Sequence, residues 1–279
     1  MRKISAELIT EKIASAVREI NMCLPPDIEQ ALRTAEQKET SPQGRSVLQK
    51  LLLNAEIART QKIPLCQDTG TCLIFLEIGQ DVHITGNLQK AIQTGTALGY
   101  RSLRKSIVAD PLQRQNTNDN TPAVIYTEII PGDTLRLQIL AKGGGAENKS
   151  ALYMLRPTAD KKEIIEKIVE SVQKAGSAPC PPLILGIGLG GTFDSAPLLA
   201  KKALLRKVGS THPDKNYAAL EEELLSEVNK LGIGPAGYGG QTTALAVHIQ
   251  TAPCHIASLP LAVNIQCHAA RHCEIIFNP

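Results

Sequence analysis

Aromatic residues are scarce in this sequence. Tryptophan is absent from the 279 residues, and aromatic side chains make up only 3% of the chain. Proteins that bind single-stranded nucleic acids stack the bases on aromatic rings, so this composition argues against that class. A formal net charge of +3 is also too small, on a chain of this length, to indicate binding to nucleic acid or to an acidic membrane.

Long hydrophobic runs are missing as well. No uninterrupted apolar stretch reaches the roughly 20 residues that a helix needs to cross a bilayer. Residues 1–17 intersperse charged with apolar side chains and contain neither the apolar core nor the cleavage site of a signal peptide. Seven cysteines without a secretion signal are typical of a reducing compartment, where thiols serve catalysis or metal binding. We therefore expect a cytoplasmic protein.

The overall composition, with 43% hydrophobic and 20% charged residues, is that of an ordinary soluble globular protein. Its length suffices for one large domain or two small ones. Apolar residues recur at helical spacing over residues 4–17, 28–35 and 47–57. We expect a helical N-terminal region over residues 1–61, with a soft boundary, that packs on the rest of the chain rather than folding independently.

Residues 62–279 mix β-favouring apolar runs with helical runs. The expected strands cover residues 72–78, 123–130, 134–141, 183–187, 243–249 and 257–265. The expected helices cover residues 88–99, 161–175, 195–207 and 217–231. Pro131 and Gly132 favour a tight turn, so the second and third of these strands are expected to form a hairpin. We therefore expect an α/β domain over residues 62–279, with a mixed sheet and surrounding helices.

Three of the seven cysteines lie in turn-rich segments. Cys66, Cys180 and Cys267 have such surroundings, whereas Cys23 and Cys72 lie in apolar runs. The absence of C-x-x-C spacing argues against a zinc ribbon or a thioredoxin-like motif. A cysteine outside such motifs is often a small buried hydrophobe. This structural interpretation suits Cys23 and Cys72, and local chemistry alone leaves it open for the other three.

Three consecutive glycines, Gly143–Gly145, follow an expected strand and are flanked by Lys142 and Lys149. Backbone N–H groups in such a turn can converge on an anion, so a carboxylate or a phosphate would suit the pocket. A flexible hairpin end with two solvated lysines explains the same residues equally well.

A second glycine cluster, Gly186–Gly191, satisfies the G-x-G-x-x-G pattern between an apolar run and a helix. In dinucleotide-binding folds a second strand follows this helix and ends in an acidic residue. Asp214 lies at a suitable distance in sequence, but no expected strand precedes it. The pattern is therefore only a weak indication of nucleotide binding.

Four longer segments carry most of the information about function. They read PLCQDTGT, KGGGAENKS, APCPPLILGIGLGG and GIGPAGYGGQTT…PCHIASLPLAVNIQCHAARH, in this order. Together they resemble the class I fumarases and L-tartrate dehydratases, a family of hydro-lyases, over essentially the whole chain. The resemblance implies a [4Fe–4S] cluster held by three cysteines, which match Cys66, Cys180 and Cys267. Three thiolate ligands leave one iron open as a Lewis acid, which helps a poor leaving group such as hydroxide to depart.

The resemblance also implies roles for polar residues that predict no function singly. Asp68 and His255 match the pair that handles the proton of the departing hydroxyl group. Gln67 would face the substrate, and Arg104 would bind a substrate carboxylate. The three-glycine turn, through Gly145 in particular, would present backbone N–H groups to a carboxylate. Charge-assisted contacts of this kind suit a dianionic substrate.

Fused members of the family have a second domain, which supplies the base for the carbon-bound proton. This sequence stops at Pro279, so the resemblance implies an α subunit whose active site is completed by a β subunit in an α/β hetero-oligomer. Fumarate hydratase is the leading expectation, with L-tartrate dehydratase and mesaconate hydratase as alternatives. A nucleotide-binding oxidoreductase subunit and a non-catalytic iron–sulfur carrier are the alternatives from other classes.

Overall fold

The computed structural model describes residues 2–277, which divide into two compact units interleaved in sequence. The first unit comprises residues 2–25, 55–144 and 271–277, and the second comprises residues 26–54 and 145–270. Within the described residues, each unit contains a four-stranded mixed sheet together with helices. This arrangement confirms the expected α/β class with mixed sheets.

The first unit is built on a sheet of order β10-β5-β2-β4. Its strands are β1 (Arg2–Ser5), β2 (Thr71–Gly79), β3 (Val82–Thr85), β4 (Val124–Ile130), β5 (Leu135–Lys142) and β10 (Arg271–Phe277). Its helices are α1 (Ala6–Met22), α4 (Leu88–Gly99) and the C-terminal part of α3 (Pro42–Gln61). β2 runs parallel to β4 and antiparallel to β5, while β1 and β3 form a separate parallel pair.

Apolar spacing explains how α1 packs in this unit. Ile9, Ile13, Val17 and Ile20 recur every three or four residues and are buried in one cluster with side chains of β2 and β5. The helix begins at Ser5, whose hydroxyl accepts the N–H of Leu8 at 3.2 Å. This core holds in place the strand ends from which the loops of the candidate site emerge.

The expected hairpin between residues 123–130 and 134–141 is wrong. The two segments form β4 and β5 as strands, but these flank β2 on opposite sides and do not pair with each other. The turn at Pro131 and Gly132 crosses the end of β2, where Asp81 N–H donates to Gly132 O at 2.9 Å. A turn signal is local, whereas the insertion of an earlier strand between the two is a long-range pairing that local sequence does not encode.

The second unit has a sheet of order β6-β9-β7-β8. Its strands are β6 (Ala151–Leu155), β7 (Leu183–Gly190), β8 (Ala244–Ala252) and β9 (Leu259–Gln266). Its helices are α2 (Pro26–Lys38), the N-terminal part of α3, most of the short α5 (Gly144–Glu147), α6 (Lys161–Ala175), α7 (Ser195–Ala203) and α8 (Lys215–Lys230). β7 runs parallel to β8 and antiparallel to β9, and α6 and α8 bury their apolar faces in a common core with these strands.

The G-x-G-x-x-G segment does not form a phosphate-binding turn. Gly186 and Gly188 lie inside β7, and a Cβ atom on either one would overlap a backbone oxygen of α7, that of Ala200 or Ala196. The glycines therefore allow α7 to lie directly on the sheet. In dinucleotide-binding folds such glycines instead follow the strand, where they admit a pyrophosphate. The nucleotide-binding alternative thus loses the feature that suggested it.

The boundaries of the two compact units fall at positions that the composition did not indicate. The first 61 residues are largely helical, as expected, but they are divided between the units at residues 25 and 54. The division of folding units at residue 61 stays a prediction. No helix within the described part of the chain is long and apolar enough to span a membrane.

Candidate active site

Strand register brings three segments of the first unit to one edge of its sheet. Thr71, the first residue of β2, pairs with Lys142, the last residue of β5. Arg271, the first residue of β10, pairs with Ala141 on the other side of β5. The loop before β2 and the glycine turn after β5 therefore lie beside the start of β10. These are the segments that contain Asp68 and Gly143.

A cavity of about 360 Å³ opens in the first unit beside this sheet edge. Its lining residues are Gln67, Asp68, Arg104, Lys105 and Ser106. Three residues selected from the sequence, Gln67, Asp68 and Arg104, are thus brought together around one space. The exposed Arg104 side chain makes no hydrogen bond or ion pair with the described residues, so its guanidinium is available to an anion. Lys105 instead donates to the carbonyl groups of Arg101 and Leu103, at 2.9 and 2.6 Å.

Buried polar contacts join the two loops that line this cavity. The hydroxyl of Thr69 donates to Arg104 O at 2.6 Å. The side chain of Asn120 donates to Gly70 O at 3.0 Å and accepts the N–H of Ser106 at 2.6 Å. Thr69 and Asn120 are fully buried, so these bonds do not compete with solvent. They set the position of Arg104 relative to the Asp68 loop.

The Asp68 side chain is held on both oxygens by backbone donors. Gly70 N–H donates to Oδ1 at 2.9 Å, and Gly144 N–H donates to Oδ2 at 2.7 Å. The carbonyl oxygen of Asp68 accepts a 2.7 Å hydrogen bond from the guanidinium of Arg271, which also donates to Asn21 Oδ1 at 3.0 Å. The carboxylate therefore has a defined direction at the cavity wall.

The three-glycine turn contacts a carboxylate of the protein itself. An N–H of this turn does contact a carboxylate, but it is that of Asp68, through Gly144. A Cβ on Gly143 would lie 3.2 Å from Asp68 Oδ2, so a larger residue there would crowd the same carboxylate. Gly145 belongs to the second unit, where it is exposed and close to Ala178 O. Its contact with a substrate carboxylate stays a prediction.

In the second unit, His255 lies on the exposed loop that joins β8 to β9. Its Nδ1 accepts the backbone N–H of Ala257 at 3.1 Å. Because Nδ1 acts as the acceptor, the neutral ring carries its proton on Nε2. This tautomer leaves a proton on Nε2 of an exposed ring, where it can be given to a substrate oxygen.

Cys180 and Cys267 lie on two loops of the second unit that are hydrogen-bonded to each other. The ring Nδ1 of His268 donates to Cys180 O at 2.9 Å, and the backbone N–H of His268 contacts the same oxygen at 3.4 Å. Cys180 is exposed and has a φ of 58°, a left-handed conformation that is uncommon outside glycine and clusters at functional sites. Cys267 follows β9 directly and is half-buried. These two loops are thus held together through a residue that adjoins one of the thiols.

Comparison with known proteins identifies the family of this chain. Residues 10–276 match the profile of the family described as fumarate hydratase (Fumerase). The chain belongs to the fumarate hydratase (Fumerase) family. It is 41% identical over 273 residues to a Methanocaldococcus jannaschii protein provisionally named L(+)-tartrate dehydratase subunit alpha, covering 94% of this chain and 95% of that protein. The L(+)-tartrate dehydratase subunit alpha of Escherichia coli K12 is 28% identical over 275 residues, covering 94% and 88% of the two chains.

Membership of the Fumerase family confirms the resemblance found in the sequence to hydro-lyase α subunits. It also confirms the expected enzyme class, because the family and these relatives carry hydro-lyase names. Both relatives are named for L(+)-tartrate dehydratase, so they favour the alternative expectation over fumarate hydratase itself.

The cysteines of this Fumerase family member divide by environment. Burial raises the pKa of Cys72 and of Cys273 to about 12, and burial also raises the pKa of Cys23. These thiols resist ionisation, which agrees with the structural interpretation of Cys23 and Cys72. Cys66 is half-buried on the loop before Gln67, and Cys180 and Cys267 lie on the loops described above.

The candidate cluster ligands are distributed over both units. Cys66 belongs to the first unit, whereas Cys180 and Cys267 belong to the second. Asp68 and His255 are divided in the same way. Within either unit, the described residues form no group of three His, Cys, Asp or Glu side chains able to hold a metal ion. Convergence of the three cysteines stays a prediction.

Three positioning residues of this Fumerase family member were not selected from the sequence. Asn120 joins the cavity loops, Arg271 fixes the Asp68 backbone, and His268 joins the Cys180 and Cys267 loops. Each acts on a backbone group that is distant in sequence, so spacing could not reveal it. The sequence offered one signal for two of these residues. His268 and Arg271 both lie in the segment QCHAARH, which carried the resemblance.

Proposed function

We propose that this chain is the α subunit of an iron–sulfur hydro-lyase that dehydrates L-tartrate to oxaloacetate. The observation that carries the substrate choice is the similarity to relatives named L(+)-tartrate dehydratase subunit alpha, which extends over nearly the full length of both chains. The cavity supports a carboxylate substrate, because its wall carries the polar side chain of Gln67 and the guanidinium of Arg104, which makes no hydrogen bond or ion pair with the described residues.

The proposed cofactor is a [4Fe–4S] cluster with three protein ligands. The donor chemistry fits, because Cys66, Cys180 and Cys267 lie on loops while Cys72 and Cys273 have a pKa of about 12. Thiolates are the ligands that such clusters require. When bound, the cluster would supply an open iron site that acts as a Lewis acid on the substrate hydroxyl group.

The proposed roles of the chain's own residues rest on the family resemblance, and the local contacts of Asp68 and His255 support them. Arg104 binds one substrate carboxylate at the cavity wall, and Gln67 orients the substrate by hydrogen bonding. Gly145 presents its backbone N–H to the second carboxylate. Asp68, held on both oxygens by backbone N–H groups, is fixed in direction toward the substrate hydroxyl. His255 donates its Nε2 proton to that hydroxyl, which then leaves as water.

The remaining proton, on the substrate carbon, needs a base that we assign to a β subunit. The names of both relatives describe an α subunit, which implies a partner chain. We propose an α/β hetero-oligomer in which the partner completes the site, excludes water from it and accepts this proton.

Fumarate hydratase remains the second candidate because the family description names that activity. The two candidates differ by one hydroxyl group on the substrate. The test is to co-express the chain with its β partner, purify the complex without oxygen, and compare kcat/KM for L-tartrate, (S)-malate and citramalate, with D-tartrate as the stereochemical control. We expect L-tartrate to be preferred by about tenfold, which corresponds to one hydrogen bond of about 1.4 kcal/mol to the additional hydroxyl group. A preference for (S)-malate would assign the chain to fumarate hydratase instead.

A further inference from the structure

The glycine-rich segment at residues 232–240 has no role in the chemistry described so far. It joins α8 to β8 and packs against the turn that carries Cys180. Ala236 N–H donates to Pro181 O at 2.8 Å. A Cβ on Gly237 would overlap the side chain of Ser177, so only glycine permits this approach. The segment therefore touches the Cys180 turn on both sides of that cysteine.

The other end of the segment is fastened by a buried carboxylate. Glu39, which follows α2, is fully buried. Its side-chain oxygens accept the N–H groups of Ser41 at 3.0 Å, Gln241 at 2.9 and 3.1 Å, and Thr242 at 3.3 Å. A buried carboxylate is stable only when such donors satisfy it. The contacts therefore specify a charged acceptor at this position.

Gly240 shows how closely the segment is fitted to this carboxylate. Its φ of 129° is a conformation that side chains rarely adopt, and a Cβ there would lie 2.8 Å from Glu39 Oε2. Several further residues of the segment have positive φ, including Ala236 at 50°. Backbone in such conformations persists only where its surroundings determine it. At one end of the segment, contacts with Glu39 hold this backbone in place. At the other end, the segment contacts the Cys180 turn and so restricts its conformation.

We propose that Glu39 is a positioning residue that sets the conformation of the Cys180 turn through the segment 232–240. The proposal rests on the proposed function only in giving Cys180 its role as a cluster ligand. Ionised Glu39 holds the backbone at residues 241 and 242, the held segment keeps Ala236 on Pro181 O, and this contact holds the turn in the geometry that cluster binding needs. Substitution by glutamine keeps the shape but replaces one acceptor oxygen with an NH2 group that faces backbone donors, so the contacts of that oxygen are lost.

The test compares Glu39→Gln with Glu36→Gln in the full-length, cluster-free chain. Glu36 lies on α2, the helix that precedes Glu39, and among the described residues its side chain is hydrogen-bonded only to that of Gln49, at 2.9 Å. Amide hydrogen exchange is followed at Ala236 and Cys180, with the central amides of β7 and β9 as the reference for global opening. We expect exchange at Ala236 and Cys180 to become about tenfold faster in Glu39→Gln, as the loss of a hydrogen bond to a charged group predicts, while the β7 and β9 amides and Glu36→Gln stay unchanged.

A second measurement follows iron release to a chelator after anaerobic reconstitution, and we expect about tenfold faster release from Glu39→Gln. Unchanged exchange at Ala236 and Cys180 would overturn the proposal, as would equal acceleration of these amides and the β7 and β9 amides. If Glu39→Gln does not fold, Gly240→Ala perturbs the contact between Glu39 and the segment 232–240 from the segment instead. Amide exchange is then measured at the same positions, Ala236 and Cys180. If the wild-type chain binds no iron, the proposed function fails, while the exchange result still tests the link between Glu39 and the Cys180 turn.

Discussion

The guanidinium of Arg271 donates a 2.7 Å hydrogen bond to the backbone carbonyl oxygen of Asp68. Arg271 is only 1% exposed, and the same guanidinium reaches Asn21 on α1 at 3.0 Å. A buried charge is costly unless hydrogen bonds compensate it, so this contact constrains the loop as well as the arginine. The start of β10 thereby sets the direction of a carboxylate that precedes it by 203 residues.

Arg271→Lys should lower both stability and turnover. Lysine cannot reproduce the planar arrangement of donors that reaches Asp68 O and Asn21 together. We expect the free energy of unfolding to fall by about 1.5–3 kcal/mol, as for one hydrogen bond to a charged group, and kcat of the α/β complex to fall with it. Urea denaturation and steady-state kinetics provide the measurements. Arg101→Lys, an exposed change in the same unit, is the control, and equal behaviour of the two variants would remove Arg271 from the site.

Arg104→Lys should weaken substrate binding without affecting the fold. Its guanidinium is exposed at the cavity wall and makes no hydrogen bond or ion pair with the described residues, so we expect the native structure not to depend on it. Loss of a bidentate contact with a carboxylate should reduce kcat/KM about ten- to a hundredfold. Thermal unfolding should match the wild type. Wild-type kinetics in the reconstituted complex would show that Arg104 is only a solvated surface group.

His255→Asn should separate the roles of the two ring nitrogen atoms. Asparagine can keep an acceptor near the position of Nδ1 for the N–H of Ala257, but it provides no proton at the position of Nε2. If Nε2–H is the proton donor, kcat should fall by about 10²–10⁴-fold while thermal stability is retained.

A matched control exists elsewhere in the same unit. Nδ1 of His212 also accepts an N–H from two residues ahead, that of Asp214 at 3.0 Å. His212→Asn should therefore leave kcat unchanged. If His255→Asn behaves like His212→Asn, the ring only shapes its loop and the proton donor lies elsewhere.

Thiol labelling should follow the division of the cysteines by environment. A pKa of about 12 keeps the thiols of Cys72 and Cys273 protonated at neutral pH, and only the thiolate reacts with iodoacetamide. In the folded, cluster-free chain at about pH 8 we expect Cys180 and Cys254, which are exposed, to be alkylated first. Cys72 and Cys273 should react only after denaturant is added, since unfolding returns the pKa of Cys72 toward 9.0. Mass spectrometry of the labelled peptides measures this order, and early labelling of Cys72 would contradict its burial.

Local sequence predicted elements well where it carried both a start signal and a periodic face. The helices at 88–99 and 161–175 have the expected bounds, because Asn87 and Asp160 cap amphipathic runs. The strands β1, β3, β6 and β10 were missed. The apolar pattern of β10 is interrupted by the polar residues Arg271, His272 and Glu274. In addition, β10 pairs with β5, a strand more than a hundred residues earlier, and local sequence does not encode such a pairing.

Part of the candidate site was likewise predictable from the sequence. Gln67, Asp68 and Arg104 were selected by resemblance, and the cavity brings them together. Asn120, His268 and Glu39 were not selected, since each bonds to backbone atoms of a distant segment. Such contacts leave no spacing pattern in the sequence, because every residue supplies a backbone C=O and every residue except proline supplies a backbone N–H.

The most direct test of the account measures iron and acid-labile sulfide in single cysteine variants after anaerobic reconstitution. We predict that Cys66→Ser, Cys180→Ser and Cys267→Ser each lose the cluster and its visible absorbance. Cys254→Ser should keep both, since Cys254 is exposed, like Cys180, but is not a proposed ligand. Full iron and sulfide content in any of the first three variants, or loss of the cluster from Cys254→Ser, would contradict the assignment of Cys66, Cys180 and Cys267 as the ligands.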